Sequence, residues 1–279
     1  MGLLCTGVEE IIEQVFLKIR LEAEGAEGKS GVSGRKGLLI MLDYDGTVVP
    51  FAPLPQMAQP GTEELEVLQQ LADKEGVVLA IVSGRSLYDL EALLPLQGVF
   101  LAGWHGAALR EPGGNARWLI DTAACRAVMQ VREKLKEMET AQEGWPAGFW
   151  VEDKELSLAL HFRQADPAQA EEALGRVLAE VSPLIKENGL ETLAGAKVLE
   201  IRPRGVNKGR AVEALLGLYP DFYPLYLGDD ITDEDAFFVL RGRGLGIYVG
   251  EEERPTAASC RLRNCEEVIN FLKELSARW

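Results

Sequence analysis

The sequence has few of the side chains that bind zinc. Only two histidines and four cysteines occur in 279 residues, and no two cysteines form a Cys-x-x-Cys pair. Zinc sites in proteins are commonly built from such pairs and from histidines. We therefore expect no zinc site, and we expect the thiols to be reduced and packed.

Positive charge is also scarce. Lys and Arg total 29 against 44 for Asp and Glu, which gives a formal net charge of -15. An acidic surface repels polyanions, so the composition argues against nucleic acid and anionic membranes as partners. A phosphate-binding site in such a chain needs its own positive charge, from a lysine or a metal ion.

The chain lacks long apolar segments as well. No apolar run approaches the roughly 18 residues that a membrane-spanning helix needs. The N-terminus carries Glu9, Glu10 and Glu13 and has no apolar core of a secretory signal. Met1–Thr6 matches the myristoylation pattern, but so short a match is weak and we interpret it as chance. We expect a cytoplasmic protein.

Three short apolar runs are present, and each ends abruptly in small or polar residues. They are Leu38–Leu42, Val77–Val82 and Pro224–Leu227, followed by "DYDGT", "SGRS" and "GDDITDED". A helical pattern follows each run, and apolar strands alternating with helices indicate a parallel sheet covered on both faces. We predict an α/β fold with a doubly wound parallel sheet. Its ligands should bind beyond the carboxyl ends of the strands, where all three polar clusters fall.

The alternation of apolar strands with helices is interrupted between about 112 and 203. A helical pattern precedes the strand-like segments "GFWVED" and "ELSLALHFR", and a second, at about 167–180, precedes "SPLIKENG" and "AKVLEIRP". The segment "ELSLALHFR" alternates in the manner of an antiparallel strand with one exposed face. We interpret 112–203 as an α+β cap domain inserted into a catalytic core formed by 36–111 and 204–279.

Residues 1–35 are predicted to form a helix, at about 8–22, and a flexible linker rich in Gly and Ser. The helix could dock another chain, cover the core or fray, and its sequence leaves these alternatives open.

Asp43 and Asp45 end the first apolar run with one residue between them. Two carboxylates so close both stay ionised only if a cation lies between them; otherwise one takes up a proton. Hard divalent ions prefer oxygen ligands, and Asp229 and Asp233 follow another predicted strand. The sequence therefore predicts a Mg²⁺ site. Taken alone, Asp-x-Asp-Gly favours a simpler interpretation, a turn in which the aspartates cap the following backbone.

Four elements in order make the metal interpretation stronger: "DYDGT", "SGR", the lysine that opens "NKGRAVEALL", and "GDDITDE". On the strand ends of a doubly wound sheet, this order resembles the haloacid-dehalogenase superfamily of phosphotransferases. The resemblance covers about residues 36–110 and 204–275 as the core. It implies a Rossmann-like core with the middle segment as a cap.

The resemblance also implies roles for individual residues. Asp43 would be the nucleophile that forms an aspartyl phosphate, and Asp45 would be the general acid and then the general base. Ser83 would bind a phosphoryl oxygen, and Lys208 would neutralise phosphate charge and hold Asp43. The implied metal ligands are Asp43, the main-chain carbonyl of Asp45, Asp229 and Asp233. A carboxylate at position 45 is implied for phosphatases and phosphomutases rather than dehalogenases.

Finer matches are "VSGRS", "GWHG", "VEDKELSLALHFR", "VLEIRPRGVNKGRAV" and "LGDDITDEDAF". Together they resemble the trehalose-6-phosphate phosphatases over nearly the whole chain from Lys36. The implied reaction is Mg²⁺-dependent hydrolysis of trehalose 6-phosphate, a small-molecule substrate, under a cap that closes over the sugar. The implied substrate-binding residues are Gly84, Arg85, His105, Gly106, Glu152, Lys154 and Arg163.

Several of these residues have a purely structural alternative. Glu152 and Lys154 could form a surface salt bridge, Arg85 could pair with Asp89 four residues later, and His105 could be a buried structural histidine. Arg163 could be an exposed strand residue, and we interpret His161 as a satisfied strand histidine. The sequence departs from the family pattern at Ala107-Ala108, where an acidic residue is common, and at Phe162, where tyrosine is common.

Three other functions compete with this interpretation. The chain could be a phosphatase of another sugar phosphate, such as sucrose 6-phosphate or mannosyl-3-phosphoglycerate, or a phosphomannomutase-like enzyme. It could also be a silent sugar-phosphate sensor or a partner subunit of a synthase. A silent member is expected to lose Asp43, Asp45 or Lys208, and all three are present. A cap that moves over a hinge favours a monomer.

Overall fold

The structure, a computed structural model, describes residues 5–26, 36–52, 54–141, 144–195 and 197–279. Most of the predicted linker, at 27–35, and the first four residues of the Met1–Thr6 pattern lie outside the described residues. Backbone contacts divide the chain into a core unit, 1–119 with 207–279, and an inserted unit, 120–206. The predicted cap bounds, 112 and 203, lie close to this division.

Thirteen strands are found among the described residues. They are β1 (Cys5–Thr6), β2 (Gly37–Leu42), β3 (Val77–Val82), β4 (Val99–Gly103), β5 (Ala108–Arg110), β6 (Ala116–Trp118), β7 (Trp150–Asp153), β8 (Leu158–His161), β9 (Leu190–Gly195), β10 (Val198–Pro203), β11 (Phe222–Gly228), β12 (Leu245–Val249) and β13 (Cys260–Leu262).

Eight α-helices accompany them. They are α1 (Val8–Ala26), α2 (Thr62–Ala72), α3 (Leu87–Leu93), α4 (Thr122–Thr140), α5 (Pro167–Glu187), α6 (Lys208–Leu218), α7 (Glu234–Leu240) and α8 (Cys265–Arg278). Within the described ranges, no helix combines the length and the apolar character needed to cross a bilayer.

The core unit is built on a nine-stranded sheet. Its strand order is β1-β13-β12-β11-β2-β3-β4-β5-β6. Neighbours from β1 to β4 pair in parallel, while β5 and β6 continue the sheet as an antiparallel hairpin. The prediction of an α/β fold with a doubly wound parallel sheet is confirmed.

Helices cover both faces of this sheet, which explains why its strands are apolar throughout. All six residues of β2 are buried. Alternate residues of β2 enter different layers: Leu38, Ile40 and Leu42 join the core cluster that includes α1, α2 and α8. Leu39 and Met41 join the cluster beneath α6 and α7. A strand buried on both sides needs side chains that are apolar at every position.

The inserted unit has a four-stranded antiparallel sheet of order β7-β8-β10-β9. Its helices α4 and α5 bury one face through a separate apolar cluster that includes Val128, Val177 and Leu160. The other face carries charged and aromatic side chains. The alternating segment at 155–163 contains β8, an inner strand of this sheet.

Helix α5 is longer than the sequence predicts. The prediction ends it at about 180 and treats "SPLIKENG" as a separate segment, but the helix continues to Glu187 with Pro183 in its interior. Val177 and Val181 are fully buried at helical spacing, so the apolar stripe continues up to the proline. Burial of that stripe outweighs the local cost of proline in a helix.

The N-terminal helix covers the core unit. Ile11, Ile12 and Val15 are fully buried and lie in the same cluster as residues of α8. Phe16 stacks on Trp279 with ring centroids 6.3 Å apart, and β1 adds a parallel strand at the edge of the sheet. Of the three alternatives for this helix, the structure favours covering the core.

We predict that Ile12→Ala lowers the free energy of unfolding by about 2–5 kcal/mol, because it leaves a cavity between α1 and the sheet. Leu17→Ala on the same helix is the matched control, because its side chain is 51% exposed; it should change stability by no more than about 0.5 kcal/mol. Urea unfolding measures both. Equal small effects would mean that α1 is not anchored as described.

Candidate active site

Four neighbouring parallel strands deliver polar residues to one edge of the core sheet. In sheet order, Asp229 follows β11, Asp43 follows β2, Ser83 follows β3, and Trp104 and His105 follow β4. The carboxyl ends of parallel strands lie at the same edge, so residues far apart in sequence come together there. The structure thus brings together the core residues that the sequence singles out.

Three carboxylates cluster at this edge. One oxygen from each of Asp43, Asp229 and Asp233 lies within 4.8 Å of the others. Asp43 is 4% exposed and Asp233 is fully buried. Burying three carboxylates without positive charge costs much free energy, so the groups that contact the cluster are described next.

Lys208 supplies part of that positive charge. It is the first residue of α6, whose N-cap Asn207 accepts a hydrogen bond from the amide of Arg210 at 3.0 Å. Its buried Nζ lies 2.8 Å from Asp43 Oδ1 and 2.7 Å from Asp233 Oδ1. One ammonium therefore bridges two carboxylates that follow different strands.

Burial and the neighbouring charges both shift the pKa values of these groups. Burial raises the pKa of Asp43 well above its ordinary value; Lys208 opposes this, and the charges of Asp233 and Asp229 add to it. Burial and the charge of Asp233 also raise the pKa of Asp229, to about 6. Burial alone would lower the pKa of Lys208, but Asp43 and Asp233 outweigh it and the pKa is raised.

The cluster has the donor set of a hard divalent cation. Three carboxylates face one ammonium, and their oxygens are the ligand type that Mg²⁺ prefers. Gly46 has φ +82, and a Cβ there would lie 2.3 Å from a carboxylate oxygen of Asp229. Glycine thus lets the turn that carries the Asp45 carbonyl approach Asp229, to which the Thr47 hydroxyl also donates at 3.2 Å.

The side chain of Asp45 turns to a different partner. Arg85 donates from Nε and Nη2 to the two Asp45 oxygens at 2.7 and 2.6 Å, a bidentate pair. The guanidinium also lies over the Tyr44 ring, 5.1 Å from its centroid. Asp89, the partner that the structural alternative assigns to Arg85, accepts a hydrogen bond from the Ser86 hydroxyl at 2.8 Å.

His105 is held beside this pair by an uncommon backbone. Trp104 and His105 have φ values of 49° and 53°, which non-glycine residues seldom adopt. The His105 amide donates to the Ser83 carbonyl at 2.9 Å. A Cβ on Gly84 would lie 2.6 Å from the His105 ring, and one on Gly106 would lie 2.6 Å from the Asn207 carbonyl. Both predicted glycines therefore permit close contacts that another residue would prevent.

The inserted unit carries its own group of predicted residues. His161 Nε2 lies 2.9 Å from Glu152 Oε2, and Lys154 Nζ lies 3.8 Å from the same oxygen. Trp150 stacks on the His161 ring, with centroids 4.1 Å apart and planes 11° apart. Arg163 is exposed just after β8. Trp150, Glu152 and His161 lie on the sheet face that α4 and α5 leave uncovered.

Some contacts, both at the acidic edge of the core and in the inserted unit, could not be predicted from the sequence. His161, expected to be a satisfied strand histidine, has Glu152 as its hydrogen-bond partner, and the cross-strand register Trp150↔His161 could have identified that partner only with the strand pairing known. Thr47 and Tyr226 contact Asp229 and Asp233 through their hydroxyls. Burial and the charge of Asp233 raise the pKa of Tyr226, so the phenol donates its proton.

The fold of this chain is also found in proteins of known structure. A haloacid dehalogenase-like hydrolase from Bacteroides thetaiotaomicron shares the fold, with a TM-score of 0.58 and 16% identity over 86% of this chain and 100% of that one. A sequence profile of the family described as trehalose-phosphatase matches residues 41–265. The chain belongs to that family.

Two relatives are more similar in sequence. The structure of Aspergillus fumigatus trehalose-6-phosphate phosphatase has a TM-score of 0.73 and 26% identity, and the match covers 100% of both chains. The bifunctional trehalose-6-phosphate synthase/phosphatase of Thermoproteus tenax is 36% identical over 250 residues, which is 88% of this chain. This chain spans only 33% of the length of that protein.

We predict that Lys208→Met costs about 3–5 kcal/mol of stability in metal-free buffer, because it leaves two buried carboxylates without their shared cation. Lys36→Met is the matched control, because Lys36 pairs with Asp221 at 2.7 Å on the surface; it should cost about 1 kcal/mol or less. Urea unfolding in EDTA compares them. A Lys208→Met protein as stable as the control would contradict the buried pairing.

Proposed function

We propose that the chain hydrolyses trehalose 6-phosphate to trehalose and phosphate, with Mg²⁺ and through an aspartyl phosphate on Asp43. The observation that carries the proposal is the buried carboxylate cluster with its bridging lysine, found in a member of the trehalose-phosphatase family. The Aspergillus and Thermoproteus relatives, whose names include this phosphatase activity, support the choice of substrate.

Asp43 is the proposed nucleophile. Its carboxylate attacks phosphorus, the bond to the sugar oxygen breaks, and the phosphoryl group is transferred to Asp43. Lys208 holds Oδ1 of Asp43 at 2.8 Å, which fixes the carboxylate before the attack. Water then attacks phosphorus of the aspartyl phosphate, which releases phosphate and restores the carboxylate.

Asp45 is the proposed acid and base. It gives a proton to the departing sugar oxygen, then takes one from the attacking water. Arg85 occupies both Asp45 oxygens, so Asp45 can donate a proton only after Arg85 releases at least one of them. A released guanidinium is then available to the substrate phosphate, in line with the predicted binding role of Arg85.

The remaining core residues handle phosphate charge. Ser83 offers its hydroxyl to a phosphoryl oxygen, and Lys208 offers its ammonium. Asp43, Asp229, Asp233 and the Asp45 carbonyl are the residues that would hold Mg²⁺, Asp233 either directly or through water. When bound, Mg²⁺ supplies positive charge that stabilises the phosphoryl oxygens in the transition state.

The inserted unit is proposed to select the sugar. Glu152 lies within hydrogen-bonding distance of His161 and within ion-pairing distance of Lys154, so the group combines acceptors and donors. Sugar hydroxyls need both kinds of partner. Trp150 is 50% exposed beside them and offers a flat apolar surface. Arg163 from this unit and His105 from the core are further proposed contacts.

Phosphate release from a panel of sugar phosphates tests the proposal, with Mg²⁺ and with EDTA. The panel holds trehalose 6-phosphate, sucrose 6-phosphate, glucose 6-phosphate, mannose 1-phosphate and mannosyl-3-phosphoglycerate. We expect Mg²⁺-dependent turnover with trehalose 6-phosphate preferred, and Asp43→Asn should lower kcat by about 1,000-fold or more. Surface Asp221→Asn is the control.

Each other outcome has a distinct meaning. Preference for another sugar phosphate would agree with the proposed phosphatase mechanism but contradict trehalose 6-phosphate as the substrate. Activity retained in Asp43→Asn would exclude the aspartyl phosphate. A folded protein that is silent across the panel would favour a sensor or a synthase partner.

The role of Glu152 is tested by comparing two substrates. Glu152→Ala should lower kcat/KM for trehalose 6-phosphate by about 10- to 100-fold, the loss of a charge-assisted hydrogen bond. Turnover of p-nitrophenyl phosphate, which has no sugar hydroxyls, should change by no more than about twofold. Glu171→Ala, on an exposed position of α5, is the control. Equal losses on both substrates would contradict a sugar-binding role and favour the alternative, in which Glu152 only forms a surface salt bridge.

A further inference from the structure

Tyr226 is a fully buried tyrosine that reaches the acidic cluster from within the sheet. It lies on β11, between the strands β12 and β2, and its exposed fraction is 0%. Its ring packs edge-on against Phe237, with centroids 5.7 Å apart. Its hydroxyl donates to Asp233 Oδ1 at 2.6 Å. A buried phenol needs such a partner, so the contact fixes both groups.

Asp233 has four hydrogen-bond donors. Its Oδ1 accepts from Lys208 Nζ at 2.7 Å as well as from Tyr226. Its Oδ2 accepts from the amides of Asp229 and Asp230 at 3.0 and 2.9 Å. A carboxylate offers about four acceptor positions, so these donors engage both oxygens fully. Asp233 is therefore tied to the helix-start lysine and to the backbone that presents Asp229.

We propose that Tyr226 is a positioning residue, which acts through Asp233 to hold Lys208 and the Asp229 backbone in place for metal binding and phosphoryl transfer. The inference rests on the proposed function, because its effect is on that site. The hydroxyl contacts neither Asp43 nor Asp229 in the hydrogen bonds described. Its hydrogen bond therefore reaches the site through the Asp233 carboxylate.

The same contacts give Asp233 a supporting role. A direct metal bond would need one of its four hydrogen bonds to break. The structure thus favours Asp43 and Asp229 as the carboxylates that contact the cation, with Asp233 orienting them. Losing a group that hydrogen-bonds or orients a metal ligand typically costs 10- to 100-fold in affinity or activity.

Tyr226→Phe is the informative change, because it removes only the hydroxyl and keeps the ring contact with Phe237. We expect kcat for trehalose 6-phosphate to fall by about 10-fold while KM changes by less than about threefold. The Kd for Mn²⁺, measured directly by titration calorimetry on the full chain, should rise by about 10-fold. Tyr223→Phe is the matched control: Tyr223 is a buried tyrosine of the same strand that packs in the cluster on the other face of the sheet. It should leave both quantities unchanged.

A double-mutant cycle with Asp233→Asn separates positioning from general packing. If Tyr226 acts through Asp233, then Tyr226→Phe should have no further effect on kcat or on the Mn²⁺ Kd in the Asp233→Asn protein. The same loss in both backgrounds would overturn the proposal, as would a Tyr226→Phe protein with wild-type turnover and Mn²⁺ affinity.

Two further outcomes remain distinguishable. A wild-type chain that neither binds Mn²⁺ nor releases phosphate would contradict the proposed function and, with it, the role of Tyr226. A Tyr226→Phe protein that fails to fold, judged by its circular dichroism and thermal transition, would show that the hydroxyl serves folding and would contradict the positioning role.

Discussion

One buried ammonium holds the acidic edge of the core sheet together. Lys208 is 2% exposed and lies within 2.8 Å of carboxylates that follow β2 and β11. Neither the ammonium nor the carboxylates could be buried alone, because an unpaired ion loses its hydration without compensation. The start of α6, the turn after β2 and the turn after β11 are therefore fixed relative to one another by charge as well as by packing.

The pairing leaves negative charge in excess, and that excess defines what the site can accept. Asp43 and Asp229 both have raised pKa values, chiefly because they are buried; neighbouring carboxylates add to the effect and Lys208 opposes it. Trp104 and His105 add backbone conformations that cost of order 1–3 kcal/mol each. Charge and strain that do not favour the folded state collect at functional sites, where a cation or a ligand compensates for them.

The sequence predicts the location of this site better than its contacts. Parallel strands must end at one edge, so "DYDGT", "SGR" and "GDDITDE" could be placed together from their positions after apolar runs. The bidentate pair of Arg85 with Asp45 joins residues 40 apart in sequence, and no local pattern marks it. In the sequence, Tyr226 looks like any buried strand residue. The role of its hydroxyl can be inferred only from the structure, which shows that it contacts Asp233. Helix α5 passes Pro183 because tertiary burial of Val181 decides the outcome.

The charged face of the inserted unit contributes little to the stability of the fold. This is an argument that the face serves to bind a ligand. Glu152 and Lys154 are 40% and 45% exposed, and pairs of this kind contribute about 0–1 kcal/mol to stability. Trp150 leaves half of its surface exposed above His161, although complete burial would stabilise the fold more. Stability alone does not account for a half-exposed aromatic ring stacked on a hydrogen-bonded histidine on an uncovered sheet face. The proposed binding of a sugar, whose pyranose ring has both an apolar face and many hydroxyls, would account for both features.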